Sequence, residues 1–224
     1  MLLGHVLLNE RRRAAEIWRI RERTEHEAAT LFQRLASDLE AAGAHPDLVT
    51  LARRCADDER VHAEHCRAIV DALADGLEPL APMDARLGPA DASAARRALY
   101  TSVALGCITE SLSTALLIEL RPHATHDVVR RGLDRILTDE VRHARLGWAH
   151  LAYEAERGDV SWLSAVVPAM LEAALDTDVL PQADASHDLR AYGVLRRADV
   201  DAICAGTVAD TIAPGLARFG VRLS

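Results

Sequence analysis

The chain has 224 residues, of which 50% are hydrophobic, and its formal net charge is −8. This length and apolar content suit one domain with a large core, and the negative charge argues against a general nucleic-acid surface. All 26 basic residues are arginine, so a Schiff-base lysine and a Walker phosphate loop, which both need lysine, are excluded.

Residues 1–19 are predicted to form an N-terminal extension. Their apolar run is too short and too poorly flanked for a signal peptide, and no window approaches a membrane span. We therefore expect a soluble, cytoplasmic protein without a membrane partner. Arginines gather at positions 11, 12, 13, 19, 21 and 23, but such clusters are usually solvated helix faces, so a nucleic-acid partner is not expected.

Two helices joined by a turn at Gly43–Pro46 are predicted next. On the first, Glu27 is the acid in the middle of a face formed by Thr24, Ala28, Leu31 and Leu35. On the second, Glu59 and His62 share a stripe, at steps of three and four, with Leu48, Leu51, Cys55, Cys66, Ile69 and Leu73. Side chains three apart on a helix point to the same place, so this Glu-x-x-His pair faces the core.

A similar pattern follows residues 76–90, whose proline and glycine predict a long connection between two similar halves. The third helix carries Glu110 among Leu99, Val103, Gly106, Ser113 and Leu117. The fourth carries a second Glu-x-x-His pair, Glu140 and His143, among Val129, Leu133, Ile136, Gly147 and Leu151. Each half therefore contributes one lone acid and one Glu-x-x-His pair.

The four acids are predicted to lie level with one another in their hairpins. At 1.5 Å per residue, Glu27 lies roughly 24 Å before its turn and Glu59 roughly 20 Å after it, while Glu110 and Glu140 lie roughly 18 and 21 Å from theirs. Isolated buried carboxylates must pair, take a proton or bind a cation. Four carboxylates and two imidazoles predict a neutral site with two divalent ions, and such mixed ligation favours iron or manganese.

These six side chains and their spacings resemble the metal site of the ferritin-like di-iron carboxylate superfamily, over about residues 20–157. The resemblance implies an all-α fold, a ferritin-like four-helix bundle with a long crossover, over residues 1–157. The implied cofactors are two iron ions, or manganese or a mixed manganese–iron pair, with O2 as co-substrate. Glu27 and His62 would serve one metal, Glu110 and His143 the other, and Glu59 and Glu140 would bridge them.

A finer resemblance is to bacterial di-iron monooxygenases. Asp58 and Asp139 each precede a bridging glutamate, where these enzymes place an acid that holds a ligand histidine by its free ring nitrogen. The alternative is a solvated acid beside the stripe. Thr114, one turn beyond Glu110, occupies the place of a threonine near the oxygen-binding face and is our candidate catalytic residue. Its alternatives are a bond to its own helix and replacement by Ser113.

Several other features are interpreted as structural. A metal-free bundle with buried salt bridges would need arginine in the stripes, and the nearby arginines 60, 67, 142 and 145 fall off them. The cysteines at 55, 66 and 107 and His150 are expected to be buried core residues, and no CxxC pair exists for a rubredoxin-type iron centre. Gly106 and Gly147 indicate close helix approach or, alternatively, space for oxygen or substrate.

Residues 158–224 are predicted to be a helical extension packed on the bundle, with helices near Trp162–Leu175 and Ala198–Ile212, the second ending at Pro214, and a polar loop through His187 between them. Such an extension suits either a pocket over the metals or a homodimer contact.

Three functions fit these features. The favoured one is a di-iron oxidase or oxygenase that uses O2 and an external electron donor to oxidise or hydroxylate a small organic substrate. The second is a peroxidase or ferroxidase similar to rubrerythrin or bacterioferritin, which the missing rubredoxin motif weakens. A structural bundle with a silent metal site is least expected, because the ligand set is complete.

Overall fold

The computed structural model describes residues 2–84, 86–176, 182–183 and 188–223, with the side chains of the first helix described from Leu8 onward. Within these ranges the chain is all-α, as predicted, with one isolated bridge between Ala183 and Arg196 and no strand. Four long helical elements form the bundle: α1 (Leu2–Ala41), α2 (Pro46–Leu73), a third made of α3 (Ala94–Thr101), a π-helical segment (Ser102–Thr109) and α4 (Glu110–Leu120), and α5 (Asp127–Ala155).

The helices pack in two antiparallel pairs that meet through α2 and α5. α1 packs along α2, α2 packs on α5, and α5 packs on the π segment and α4. Local sequence sets the helix starts: the His45 side chain accepts a hydrogen bond from Asp47 N, and Ser93 Oγ accepts one from Arg96 N. These caps and the short turns within each pair bring the two Glu-x-x-His motifs to the same level of the bundle.

The crossover between the halves, residues 74–93, lies along α1. Met83 N donates to Glu27 Oε1 at 2.9 Å, and Arg19 Nη1 donates to Glu78 O at 3.3 Å. The long connection predicted from the sequence is therefore confirmed, and it covers the outer face of the helix that carries Glu27.

The third element approaches α5 at two glycines. A Cβ on Gly106 would lie 2.7 Å from Gly147 Cα, and one on Gly147 would lie 2.6 Å from Cys107 N and from Ser102 O. Because these neighbours are backbone atoms, they cannot move aside. Close helix approach, one of the two interpretations of these glycines, thus accounts for both positions.

The C-terminal extension contains α6 (Val167–Ala174), α7 (Arg197–Thr207), a second π segment (Val208–Ile212) and α8 (Ala213–Ala217), with 3-10 turns at Ser161–Ala165 and Arg190–Tyr192. α6 packs on the first π segment and α7 packs on α4. Trp18 Nε1 donates to Tyr192 O at 2.8 Å, which ties α1 to the same region. The polar loop through His187 lies mostly outside the described residues.

The predicted end of the last helix at Pro214 is wrong. The helix continues through Pro214 to Ala217, with Pro214 in the first turn of α8 directly after the π segment. Proline is tolerated in a first helical turn, where its missing N–H is not needed, and the change of hydrogen-bond register in the π segment provides such a position.

Two helices pass a test for membrane spans by length and composition, contrary to our expectation that no window would. Ala94–His123 has a mean hydropathy of 1.5 with 56% of the window buried, and Arg197–Ala217 has 1.2 with 22% buried. Core helices of soluble proteins pass the same test. We interpret Ala94–His123 as such a core helix, because it carries Glu110 into the centre of the bundle.

Candidate metal centre

The two Glu-x-x-His motifs face each other across the α2–α5 contact. The ligand atoms of Glu59, His62, Glu140 and His143 all lie within 4.8 Å of one another, and none of these residues is more than 1% exposed. His143 Nδ1 lies 2.8 Å from Glu59 Oε1 and 3.3 Å from Glu140 Oε2, and His62 Nδ1 lies 3.2 Å from Glu59 Oε2. Both imidazoles therefore direct Nδ1 toward a common centre between the helices.

Glu110 joins this group from α4. It is buried, and it shares a hydrogen bond with Glu140. Burial, together with the negative charges of Glu140 and Glu59, raises the pKa of Glu110 well above its usual value. Burial therefore favours the neutral form of Glu110, while burial of Glu140 is outweighed by its hydrogen bonds with His143 and Glu110, which lower the Glu140 pKa.

The first-helix acid that reaches the cluster is Glu25, two residues before the predicted Glu27. Glu25 Oε2 lies 4.0 Å from His62 Nδ1, and burial raises the Glu25 pKa to about 8. Glu27 instead accepts a hydrogen bond from Met83 N, and its Oε1 lies 3.5 Å from Arg23 Nε. The reason is the packing of α1, which buries Glu25 and leaves Glu27 partly buried; from Trp18 onward the buried residues of this helix are Trp18, Glu22, Glu25, Ala29, Leu31, Phe32, Leu35, Ala36 and Leu39.

The orientation of α1, which directs Glu25 toward the cluster and Glu27 toward the crossover, predicts different effects for substitutions of these two acids. Glu25→Gln is expected to weaken binding of one of two metal ions at least tenfold, because it removes the carboxylate nearest His62. Glu27→Gln should leave both affinities within about twofold, since Glu27 bonds to the crossover. Titration of each variant with Mn(II) under chelator competition compares them, and a larger loss for Glu27→Gln would restore Glu27 as the ligand.

Orphaned polar atoms show that the cluster fits a cation. His143 Nδ1 lies 2.8 Å from Glu59 Oε1 and 3.3 Å from Glu140 Oε2, yet none of these three buried atoms has a hydrogen bond of good geometry among the described residues. Buried polar atoms are rarely left unsatisfied, and oxygen and nitrogen atoms crowded at one point are what a divalent ion requires. Carboxylate oxygens with imidazole nitrogens suit iron or manganese.

Asp58 and Asp139 lie behind the two histidines in a crossed arrangement. Asp58 Oδ2 lies 3.5 Å from His143 Nε2 on the other helix, and Asp139 Oδ2 lies 3.5 Å from His62 Nε2. Arg142 joins the two acids, with Nη1 2.5 Å from Asp58 and Nη2 3.0 Å from Asp139. Asp58 and Asp139 are thus placed to fix the orientation of the His143 and His62 rings. Arg142, to which no role was assigned from the sequence, fixes the two acids through its ion pairs with them.

Arg21 is a second residue that the sequence interpretation missed. It lies one turn before Glu25, and its Nε donates to Glu25 Oε1 at 2.9 Å. Its Nη2 donates to Ser113 Oγ at 3.2 Å and lies 3.7 Å from Glu140 Oε1. Only arginines 60, 67, 142 and 145 were weighed against a salt-bridged bundle, and Arg21 was not considered. One arginine cannot neutralise four ionised carboxylates, so without a bound cation the site must hold protons instead, as the raised pKa values of Glu25 and His62 show.

Ser113, the rival of Thr114, has the contacts expected of a hydroxyl at the site. Ser113 Oγ donates to Glu140 Oε1 at 3.3 Å and lines the adjoining cavity. Thr114 Oγ1 is buried without a partner among the described residues and is not among the cavity-lining side chains. The geometry thus favours Ser113 over Thr114 as the hydroxyl beside the cluster.

A cavity of about 270 Å³ adjoins the cluster. Glu25, Glu110 and Glu140 lie on one side of it. The side chains contributed by the C-terminal extension are Met170, Ala173, Ala174, Val194, Leu195 and Val200, and the backbone of Gly193 adds to this wall. The extension therefore forms an apolar wall of a partly open space beside the acids, which is one of the two roles considered for it.

The remaining sequence features have structural roles. All four cysteines are buried and free, and burial raises the pKa of Cys66. His150 Nδ1 lies 2.8 Å from Ser102 Oγ, and burial lowers the His150 pKa to about 4, so it is a neutral core residue. The N-terminal arginines do not form one basic surface: Arg11 bonds to Ala72 O, Arg19 to Glu78 O, and Arg21 is in the site.

Metal affinity is expected to rise with pH. Burial lowers the pKa of His62, but its hydrogen bond with Glu59 and the charge of Glu25 outweigh this and raise the pKa to about 9. Glu25, with a pKa of about 8, also holds a proton at pH 7. Metal must displace these protons, so affinity should increase about tenfold per pH unit for each proton displaced, between pH 6 and 8.

Calorimetric Mn(II) titrations in buffers of different ionisation enthalpy measure this proton release. The control variant Glu64→Gln should release as many protons on Mn(II) binding as the wild type, because Glu64 is exposed on the outer face of α2. An affinity that is constant over this pH range would contradict the protonation states assigned to Glu25 and His62.

The comparisons with known proteins agree with this geometry. The sequence model of the rubrerythrin family matches residues 22–149, which include all six candidate ligands and leave out the C-terminal extension. Neither the curated proteins nor the solved structures contain a match.

Proposed function

Because the chain belongs to the rubrerythrin family, within the ferritin-like superfamily, we propose that it is a dinuclear iron oxidoreductase that uses O2 to oxidise or hydroxylate a small organic molecule. The observation that carries the proposal is the partly open, largely apolar cavity, which has Glu25, Glu110 and Glu140 in its wall. An iron-storage site needs only a path for ions, whereas an organic substrate needs a shaped apolar space beside the metals.

The six acids and imidazoles divide into two sets that would hold two ions. Glu25 and His62 would hold one ion and Glu110 and His143 the other, while Glu59 and Glu140 would bridge them. Iron bound there would supply the reduction of O2, and manganese or a mixed pair would fit the same donors.

The protein's own groups then control protons and water. On holding a cation, Glu110 and Glu140 would lose the hydrogen bond that these two carboxyl groups share, and the displaced proton would leave to solvent. Ser113 Oγ, bonded to Glu140 and facing the cavity, can carry a proton between the cluster and a bound molecule. The apolar wall from Met170 to Val200 keeps bulk water away from the reacting atoms.

We also propose a separate electron donor. The four cysteines are scattered, with no CxxC pair, so the chain has no rubredoxin-type centre of its own and a reductase or a chemical donor must supply electrons. A homodimer and a cytoplasmic location remain predictions from the sequence.

A second candidate function is a peroxidase or ferroxidase, in which the substrate is peroxide or iron. The family match favours this alternative, because the match covers the bundle with its metal ligands and does not include the C-terminal extension that lines the cavity. Under this alternative, the cavity would be a route for small reactants rather than a binding site.

The iron turnover of the protein separates these functions. Protein loaded anaerobically with iron is given O2 and a tenfold excess of Fe(II), and oxidised iron and O2 consumption are measured. We expect oxidation to stop near two irons per chain and O2 consumption to resume with an added reductant. Continued oxidation of the excess iron would reject the oxygenase and support a ferroxidase, and faster oxidation by hydrogen peroxide than by O2 would support a peroxidase.

A further inference from the structure

We infer that the cavity binds an apolar molecule that carries a carboxylate, that the Arg21 guanidinium binds this carboxylate, and that Ser113, which accepts a hydrogen bond from Arg21 Nη2, orients the guanidinium. The inference deepens the proposed function and rests on it for the presence of two metal ions. It names the substrate class by its chemistry, an anionic group joined to a hydrocarbon body.

Arg21 is placed to meet a molecule in the cavity. Its side chain is 19% exposed and forms part of the cavity wall. It is the one basic residue among the described side chains that line this space. An anion in the cavity therefore has a single cationic partner, and the guanidinium presents several N–H donors in a plane that matches a carboxylate.

Metal binding changes the charge around Arg21. Ionised Glu25, Glu59, Glu110 and Glu140 contribute −4 and Arg21 contributes +1, which gives −3, and two divalent ions bring the sum to +1. The carboxylates that now neutralise Arg21 would also be the metal ligands, so their lone pairs are shared with the ions. The charge of Arg21 would then be only partly compensated by Glu25 and Glu140, and a carboxylate in the cavity would complete its compensation.

Other charges near the site do not take this role. Glu27 lines the cavity, but it lies beside Arg23 and accepts from Met83 N. Asp58, Asp139 and Arg142 together carry one net negative charge. The two acids lie behind the imidazoles and are 20% and 26% exposed, so water solvates this charge and it does not compensate Arg21.

The rest of the wall suits a hydrocarbon. Ile17, Leu116 and Leu120 line the bundle side of the cavity, and Met170, Val194 and Leu195 line the extension side. A molecule anchored at Arg21 would therefore extend along apolar side chains, while its anchored end stays beside Glu25 and Glu140, the acids nearest the guanidinium.

Direct binding to the Mn(II)-loaded protein tests the inference without turnover. Octanoate, 1-octanol and acetate are titrated calorimetrically at pH 7.5 into the wild type, Arg21→Met and Arg21→Lys. We expect the wild type to bind octanoate at least tenfold more tightly than octanol and at least a hundredfold more tightly than acetate. Arg21→Met should lose the preference for octanoate, and Arg21→Lys should retain part of it.

The outcomes separate this inference from the proposed function. Equal binding of octanoate and octanol to the wild type, or an unchanged preference in Arg21→Met with its manganese content intact, would overturn the carboxylate site while leaving the oxygenase proposal standing. Acetate binding as tight as octanoate would show a free-anion site and would also overturn it. If Arg21→Met loses manganese, the same titrations are made with Ser113→Ala instead. We expect this variant to lose octanoate affinity threefold or more. An unchanged affinity would overturn the inference.

Discussion

Replacing Glu59 with alanine is expected to reduce bound metal from two ions per chain to fewer than about 0.5 after desalting. Glu59 lies within 3.2 Å of Nδ1 of both His62 and His143, so its loss removes a bridge to both ions. Because substitutions behind a metal ligand already cost about 10- to 100-fold in affinity, loss of a bridging ligand should cost more. Metal analysis of anaerobically loaded protein measures the stoichiometry.

Glu64→Ala is the matched control, since Glu64 is exposed on the same helix. It should retain two ions. Circular dichroism of Glu59→Ala should still show a helical protein, because the apolar stripes of the bundle remain. Two ions retained in Glu59→Ala would mean that metal binds elsewhere.

The largest effect on stability is expected at the contact between the third element and α5. Gly147→Ala should lower the free energy of unfolding by about 3 kcal/mol or more, because its Cβ would lie 2.6 Å from three backbone atoms, in Ser102, Gly106 and Cys107. Chemical denaturation of the metal-free protein, followed by circular dichroism, measures this change.

Gly206→Ala in α7 is the matched control, since a Cβ there would have no neighbour within 4 Å. Alanine is favoured over glycine in a helix, so Gly206→Ala should raise the free energy of unfolding by about 0.5–1 kcal/mol. Similar destabilisation by both substitutions would show that the close contact at Gly147 is not what constrains this position.

The bundle and five members of the site could be predicted from the sequence because both depend on local periodicity. A residue's position in an apolar stripe of its helix fixes the direction of its side chain, so Glu59, His62, Glu110, Glu140 and His143 could be assigned to the core before any packing was known. Their common level follows from the helix rise and the short turns.

The first-helix acid could not be assigned in the same way. Glu25 and Glu27 both lie in α1, and each belongs to an acceptable set of residues at steps of three and four. The two sets differ in which side of α1 faces α2, and that is decided by packing of the whole helix. A heptad count from Trp18 to Leu39 would have favoured Glu25, since it includes Phe32.

Arg21 and Arg142 were missed for a related reason. Both act through contacts between helices, Arg21 with Ser113 and Arg142 with Asp58, and the sequence spacing within one helix does not indicate such partners. The π segment Ser102–Thr109 is likewise a change of hydrogen-bond register without a sequence signal that we could identify.

A dinuclear centre built from both halves of the chain should be visible by anomalous diffraction from crystals soaked with Mn(II). We expect two manganese peaks in each chain, one between Glu25, Glu59 and His62 and the other between Glu110, Glu140 and His143. A single peak, or no peak among these six side chains, would contradict it.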